Sequence, residues 1–208
     1  MTRIYALVAA AIVVIGIGGA AAWTFLKSPE DQFAQCSEST VAGGAIGGPF
    51  TLVSETGATV TDADVITRPT LLYFGYTYCP DVCPFDAARN AEAADILTER
   101  GYDVQTAFIS IDPERDTPEV LAEFTDYMHP DMIGLTGTPE QVKAASTAYK
   151  TYYRKQEPEE GDEFYLVDHS TFTYLVLPEI GFVEFYRREH TPEQIADGTA
   201  CFIDAAGA

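Results

Sequence analysis

The sequence predicts an α/β domain, and three observations carry that prediction. Apolar, β-branched and aromatic runs recur at 70–76, 104–111, 132–135, 171–177 and 182–186. Segments with helix-start signals alternate with them. The chain of 208 residues is 47% hydrophobic and 21% charged, enough apolar material for a packed core, which excludes disorder of the whole chain.

The elements follow in order. Phe50–Val53 and Ala58–Thr61 alternate in polarity around Glu55-Thr56-Gly57, the pattern of a hairpin. Thr70–Tyr76 (TLLYFGY) reads as a buried strand. Asp86–Arg100 is alanine-rich with helical periodicity and stops at Gly101. Val104–Ile111 is a second buried strand. Three further helices open with the same tripeptide, at Thr117-Pro118-Glu119, Thr138-Pro139-Glu140 and Thr191-Pro192-Glu193. Each places Thr at the N-cap and Pro at the first helical position. Gln141 and Gln194 complete capping boxes. Strands are expected at Met132–Leu135, Thr171–Leu177 and Phe182–Tyr186, the last two joined by a tight turn at 178–181. A βαβ unit that ends in an antiparallel hairpin, with a cysteine motif after its first buried strand, is the thioredoxin-like plan.

Three regions are expected: an anchor over 1–27, a linker over 28–48 and the domain over 49–208. Residues 4–26 carry no charge and are long enough to cross a ~30 Å hydrocarbon core. Signal-peptide cleavage after Ala20-Ala21-Ala22 is the competing reading. The apolar run continues through Trp23, Phe25 and Leu26, which favours an uncleaved membrane anchor. No Arg/Ser-rich leader precedes the span, so a bacterial inner membrane with the domain in the periplasm fits best. Beyond the anchor the chain carries ten basic against 32 acidic residues. That balance argues against nucleic acid and anionic lipid as partners.

Chemistry concentrates in YFGYTYCPDVCPF. Cys79 and Cys83 fall between a buried strand and a helix start, where thiol pKa values drop. Residues four apart on a helix hold their Cβ atoms roughly 5–6 Å apart. A disulfide wants about 3.5–4.5 Å, so a metal ion fits between the sulfurs with less distortion. Asp81 is placed to cap the turn. Two thiolates leave a metal site open, and histidine is the natural third ligand. Of three histidines, His129 and His190 sit at helix ends, while His169 lies in YLVDHSTFTYLV with Asp168 and Ser170 beside it to fix its tautomer. Absence of CxxCH excludes covalent haem attachment.

Blocks GGPFTL (47–52), VTDADV (60–65), YFGYTYCPDVCP (73–84), FISIDPERDT (108–117), IGLTGTPEQV (133–142) and YLVDHSTFTYLVLPEIG (165–181) run in order over about 160 residues. Together they resemble the Sco/SenC family of copper chaperones. The resemblance implies a thioredoxin-like domain on a membrane tether, with copper bound by Cys79, Cys83 and His169. It also implies delivery towards the CuA centre of cytochrome c oxidase subunit II. A periplasmic copper donor is a further candidate partner, whose identity the sequence leaves open. Soft thiolates plus an imidazole suit Cu(I). A thiol–disulfide oxidoreductase that uses Cys79 and Cys83 as a dithiol is the rival function, and a copper site needs His169 where an oxidoreductase does not.

Three features stand outside that core motif. Asp112 is expected beside the metal loop or as an ordinary strand-end turn residue. The acidic run at 157–163 is expected as a solvated loop, or as a mobile one carrying His169. Cys36 and Cys201 match no family motif. Both would face an oxidising compartment, where disulfides persist. A structural disulfide between Cys36 and Cys201, which are 165 positions apart, is therefore expected to strap the linker against the final helix; closing a loop of that length is worth about 5 kcal/mol in the chain-entropy model. A buried Cys201 thiol and an intermolecular Cys36 are the competing readings.

Overall fold

The computed structural model describes residues 32–37, 46–157 and 165–207, together with Gly16, Gly18 and Gly19. The anchor expected over 4–26 lies, those three glycines apart, outside the described residues. Among the described residues no helix is long and apolar enough to cross a membrane. Most of the acidic run, 158–163, also lies outside them.

The elements run β1 (Thr51–Ser54), β2 (Thr59–Thr61), α1 (Asp62–Val65), β3 (Thr70–Gly75), α2 (Val82–Glu99), β4 (Gln105–Ser110), α3 (Pro118–Met128), β5 (Met132–Thr136), α4 (Pro139–Ala148), β6 (Tyr153–Lys155), β7 (Val167–His169), β8 (Thr173–Leu177), β9 (Gly181–Tyr186) and α5 (Pro192–Ala206). Seven strands form one sheet in the order β2-β1-β5-β4-β3-β8-β9. Strands β3, β4 and β5 pair in parallel, and the flanking pairs β1·β5, β3·β8 and β8·β9 are antiparallel. The three central strands are parallel because helices connect them, as βαβ units require.

Strands β3, β4 and β8 are buried along their whole length. Their near-continuous apolar runs reflect cover on both faces. Side chains alternate: Phe74 packs on Tyr149 and Tyr174, with ring centroids 5.6 and 6.0 Å apart, whereas Tyr73 turns toward α2. Gly75 ends β3 because space is absent: a Cβ there would lie 2.8 Å from Tyr73 and 2.9 Å from Phe108. The three Thr caps form as their tripeptides predict, Thr138 and Thr191 accepting from Gln141 and Gln194 at 3.2 and 3.3 Å.

Four elements depart from expectation. Helix α2 begins at Val82, four residues ahead of the expected Asp86. Pro84 falls in its first turn, where no N–H is needed for an intrahelical bond. Strands β6 and β7, three residues each, pair as a small separate sheet, and α1 is a single turn closed by Thr61 and Asp64. Neither these two strands nor α1 is long enough to show a period.

A second apolar cluster contains Leu71, Leu97, Ile195 and Phe202, where α2 and α5 pack together. Segment 32–37 closes over it. Phe33 meets Phe202 at 5.3 Å between centroids, Gln32 Nε2 donates to the Ala205 carbonyl at 2.9 Å, and Ser37 Oγ donates to Glu184 at 3.1 Å. Cys36 and Cys201 are joined by a disulfide, with Cα atoms 5.6 Å apart and 165 positions between them in sequence.

Candidate metal centre

Three segments converge at the C-terminal end of β3. Cys79 sits in the loop between β3 and α2, Cys83 in the first turn of α2, and His169 at the end of β7. Both cysteines are buried free thiols. The Sγ atoms and an imidazole nitrogen all lie within 4.8 Å of one another. His169 Nε2 is 3.3 Å from Cys83 Sγ.

The imidazole is oriented by the backbone of the residue that follows it. Nδ1 is 2.9 Å from the Ser170 carbonyl oxygen, which only accepts, so Nδ1 carries the proton. Nε2 therefore presents a lone pair toward the sulfurs. Tyr76 and Tyr73 meet the ring edge-on, at 5.8 and 6.3 Å between centroids. Asp168 does not take the tautomer-fixing role foreseen for it. Side chains alternate along β7, so Asp168 faces away and binds Arg154 at 3.3 Å and Gln156 at 2.6 Å.

The helix start is also arranged differently from expectation. Asp81 occupies the N-cap of α2 but makes no side-chain cap bond. Cys79 Sγ instead accepts from the Cys83 backbone N–H at 3.3 Å. A sulfur thus sits at a helix N-terminus, where the dipole favours negative charge. Cys79 is held well below the ordinary thiol range. The hydrogen bond from the Cys83 side chain does most of this, and the backbone N–H groups of Cys83 and Asp81 add to it against the effect of burial. Cys83 moves the other way, raised by burial and then by the neighbouring Cys79. The pair is one thiolate and one thiol, sharing a single proton until a cation displaces it.

Supports behind the ligands include residues that sequence reasoning missed. Asp116 is fully buried, and its carboxylate accepts from the Thr77 N–H (3.1 Å), Thr77 Oγ1 (2.6 Å) and Ser110 Oγ (2.5 Å). It ties the thiol loop to the end of β4. The Tyr73 hydroxyl donates to buried Asp86 at 2.9 Å, and the Tyr76 hydroxyl accepts from the Val167 N–H at 3.2 Å. Burial pushes the Tyr76 hydroxyl up to about 12, so it stays protonated. Asp112, expected either beside this loop or as an ordinary strand-end turn residue, accepts from Tyr165 and Arg115. The signal for Asp116 was the second Asp in DPERDT, which carries no period to mark it as buried. The remaining histidines lie elsewhere: His129 bonds Asp95 at the end of α3, and His190 packs on Tyr186 ahead of α5.

The fold and site define a class: a thioredoxin-like domain whose strand-to-helix junction carries two sulfurs and an imidazole, a donor set suited to a soft cation. The chain matches the SCO1/SenC family over residues 38–204, and it belongs to that family. It is 60% identical over 201 residues to Protein SenC of Rhodobacter capsulatus, covering 96% of this chain and 90% of that protein. A crystal structure of Arabidopsis thaliana ScoI with copper bound is similar at 44% identity and TM-score 0.72, over 77% of this chain and 99% of that one. Bradyrhizobium japonicum ScoI with copper bound is similar at 37% identity and TM-score 0.67, over 75% and 98%.

Proposed function

We propose that this chain is a copper metallochaperone. It binds one copper through Cys79, Cys83 and His169 and hands it to the CuA site of cytochrome c oxidase subunit II. The observation that carries the reading is the convergence of the three donor atoms within 4.8 Å, with Nε2 directed at the sulfurs. Copper-bound relatives of the same fold support it. Copper is cargo here, not a resident cofactor. Cys79 meets it as a thiolate, Cys83 gives up its proton, and His169 is a neutral ligand that releases without a charge penalty. Three ligands leave room for a fourth from the acceptor during transfer. In this reading residues 1–27 anchor the chain in a bacterial inner membrane, 28–48 form the linker, and 49–208 work in the periplasm, where a donor supplies the copper.

The test is a copper titration of the reduced protein and its variants. One copper per chain is expected, with intense thiolate-to-copper absorption on Cu(II) loading. Equal copper affinity in His169→Ala and wild type contradicts the three-ligand site. The paired low-pKa and high-pKa thiols favour a second reading, a dithiol that reduces the CuA cysteines and itself becomes a Cys79–Cys83 disulfide. Cells lacking the protein separate the two. Rescue of oxidase assembly by added copper supports the chaperone; rescue by an external dithiol alone supports the reductase.

A further inference from the structure

The thiol loop and the histidine hairpin belong to different parts of the chain, and among the described residues the two-stranded sheet β6–β7 that carries His169 pairs with no strand of the main sheet. Something else must register His169 against the sulfurs. Tyr76 holds β7 at one point, its hydroxyl accepting from the Val167 N–H at 3.2 Å, and a second side chain spans the thiol loop and the entry to β7. Arg115, in the turn between β4 and α3, lies over the ring of Tyr78, next to Cys79, at 4.8 Å from its guanidinium carbon to the centroid. Tyr76 lies at 5.6 Å. Arg115 also stacks on Tyr165 at 3.7 Å, and its Nη1 donates to the Tyr165 carbonyl at 3.0 Å. Tyr165 leads directly into β7.

The stack is pinned from two directions. Asp112 accepts from Arg115 Nε, and its other oxygen accepts from the Tyr165 hydroxyl at 2.7 Å. Lys155 of β6 covers the same tyrosine ring at 3.7 Å and pairs with Glu114 at 2.7 Å. The turn is held in place because Asp116, next to Arg115, is bonded to Thr77 of the thiol loop. Arg115 and Asp112 are largely buried. A planar guanidinium with a fork of donors serves such a junction where an ammonium would not.

We propose that Arg115 is the positioning residue that registers His169 against Cys79 and Cys83, acting through Tyr165 and Asp112. It touches no cargo. Its role is to hold the third ligand preorganised, so that the site closes on copper without first ordering the hairpin. This rests on the three-ligand reading for its consequence, but the placement of the ring is measurable without metal.

The first measurement is made on the metal-free, reduced protein by NMR. Cross-relaxation between the His169 ring and the rings of Tyr76 and Tyr73 is expected in wild type. Arg115→Met is expected to lose at least half of it, and Tyr165→Phe, which removes only the hydroxyl bond to Asp112, to lose a smaller part. Unchanged ring contacts in both variants overturn the proposal. Should Arg115→Met show no cooperative melt, Tyr165→Phe decides alone. The second measurement is a copper-affinity cycle. Arg115→Met is expected to weaken copper binding about tenfold or more in wild type, the usual cost of losing a ligand's support, and less than about twofold in the His169→Ala background. Equal losses in both backgrounds show that Arg115 acts on the thiols and overturn the proposal. If His169→Ala alone leaves copper affinity intact, the metal reading fails while the ring contacts still decide the positioning role.

Discussion

The chain holds two pairs of cysteines that meet opposite fates. Cys36 and Cys201 are joined across 165 positions, beside the apolar cluster of Phe33, Leu97 and Phe202. Cys79 and Cys83, only four positions apart and both buried, are free. Proximity in sequence therefore does not decide the outcome; surroundings do. The distant pair is brought to a Cα separation of 5.6 Å by two docked segments, within the usual disulfide range. The near pair sits at a helix N-terminus beside an imidazole, where one sulfur is stabilised as a thiolate and caps the backbone N–H of the other residue. One pair fastens the chain, and the other is set up to hold a soft cation.

The sharpest way to break this contrast is to exchange the roles. Cys79→Ser or Cys83→Ser is expected to abolish tight copper binding, because serine offers no soft donor. His169→Ala should weaken it on the order of 100-fold, about 2.7 kcal/mol. Replacing both Cys36 and Cys201 by serine should leave copper affinity unchanged while costing about 2–5 kcal/mol of folding stability. Denaturant unfolding and copper competition assays on the same samples check both halves of that statement. A loss of copper affinity in the Cys36/Cys201 variant would mean that the two pairs are not independent.

Next in size comes the difference between the two free thiols. Because the Cys79 pKa is depressed, its thiolate persists as pH falls below the usual thiol range; the raised Cys83 pKa keeps that thiol protonated as pH rises. Alkylation of the metal-free, non-reduced protein should therefore modify Cys79 first, at a rate nearly constant from about pH 8 down to about pH 5, where an ordinary thiol near pKa 8.5 would slow about tenfold per unit. Cys36 and Cys201 should remain unmodified. Faster labelling of Cys83, or a steep fall in Cys79 labelling below pH 8, goes against the assignment.

The smallest effect concerns a single hydroxyl. Tyr76→Phe removes the acceptor for the Val167 N–H, which is part of the strand carrying His169. About 1 kcal/mol of stability should be lost, read from thermal or denaturant unfolding, with the thiols unaffected.

How far the sequence reveals these two regions follows from what stabilises each. Buried strands such as β3 and β4 are legible because core strands need continuous apolar runs. The Thr-Pro-Glu helices are legible because capping is local chemistry. Cys79, Cys83 and His169 stand out as residue types, since few others ligate soft cations. Their supports do not. Asp116 and Arg115 read as ordinary charged turn residues, and only the fold shows one buried against Thr77 and the other stacked among tyrosines. Strand β7, which delivers His169, is three residues long and held by pairing with β6 rather than by its own pattern. The early start of α2 was hidden by Pro80 and Pro84, which punctuate loops more often than they open helices.

X-ray absorption at the copper edge tests the central claim most directly. It should be measured on the copper-loaded protein and on the variant with Cys36 and Cys201 both replaced by serine. Two sulfur neighbours and one imidazole nitrogen are expected in both samples, with the nitrogen lost in His169→Ala. A site with no imidazole contribution in wild type, or one that changes when Cys36 and Cys201 are removed, would contradict the separation of a cation-holding pair from a fastening pair.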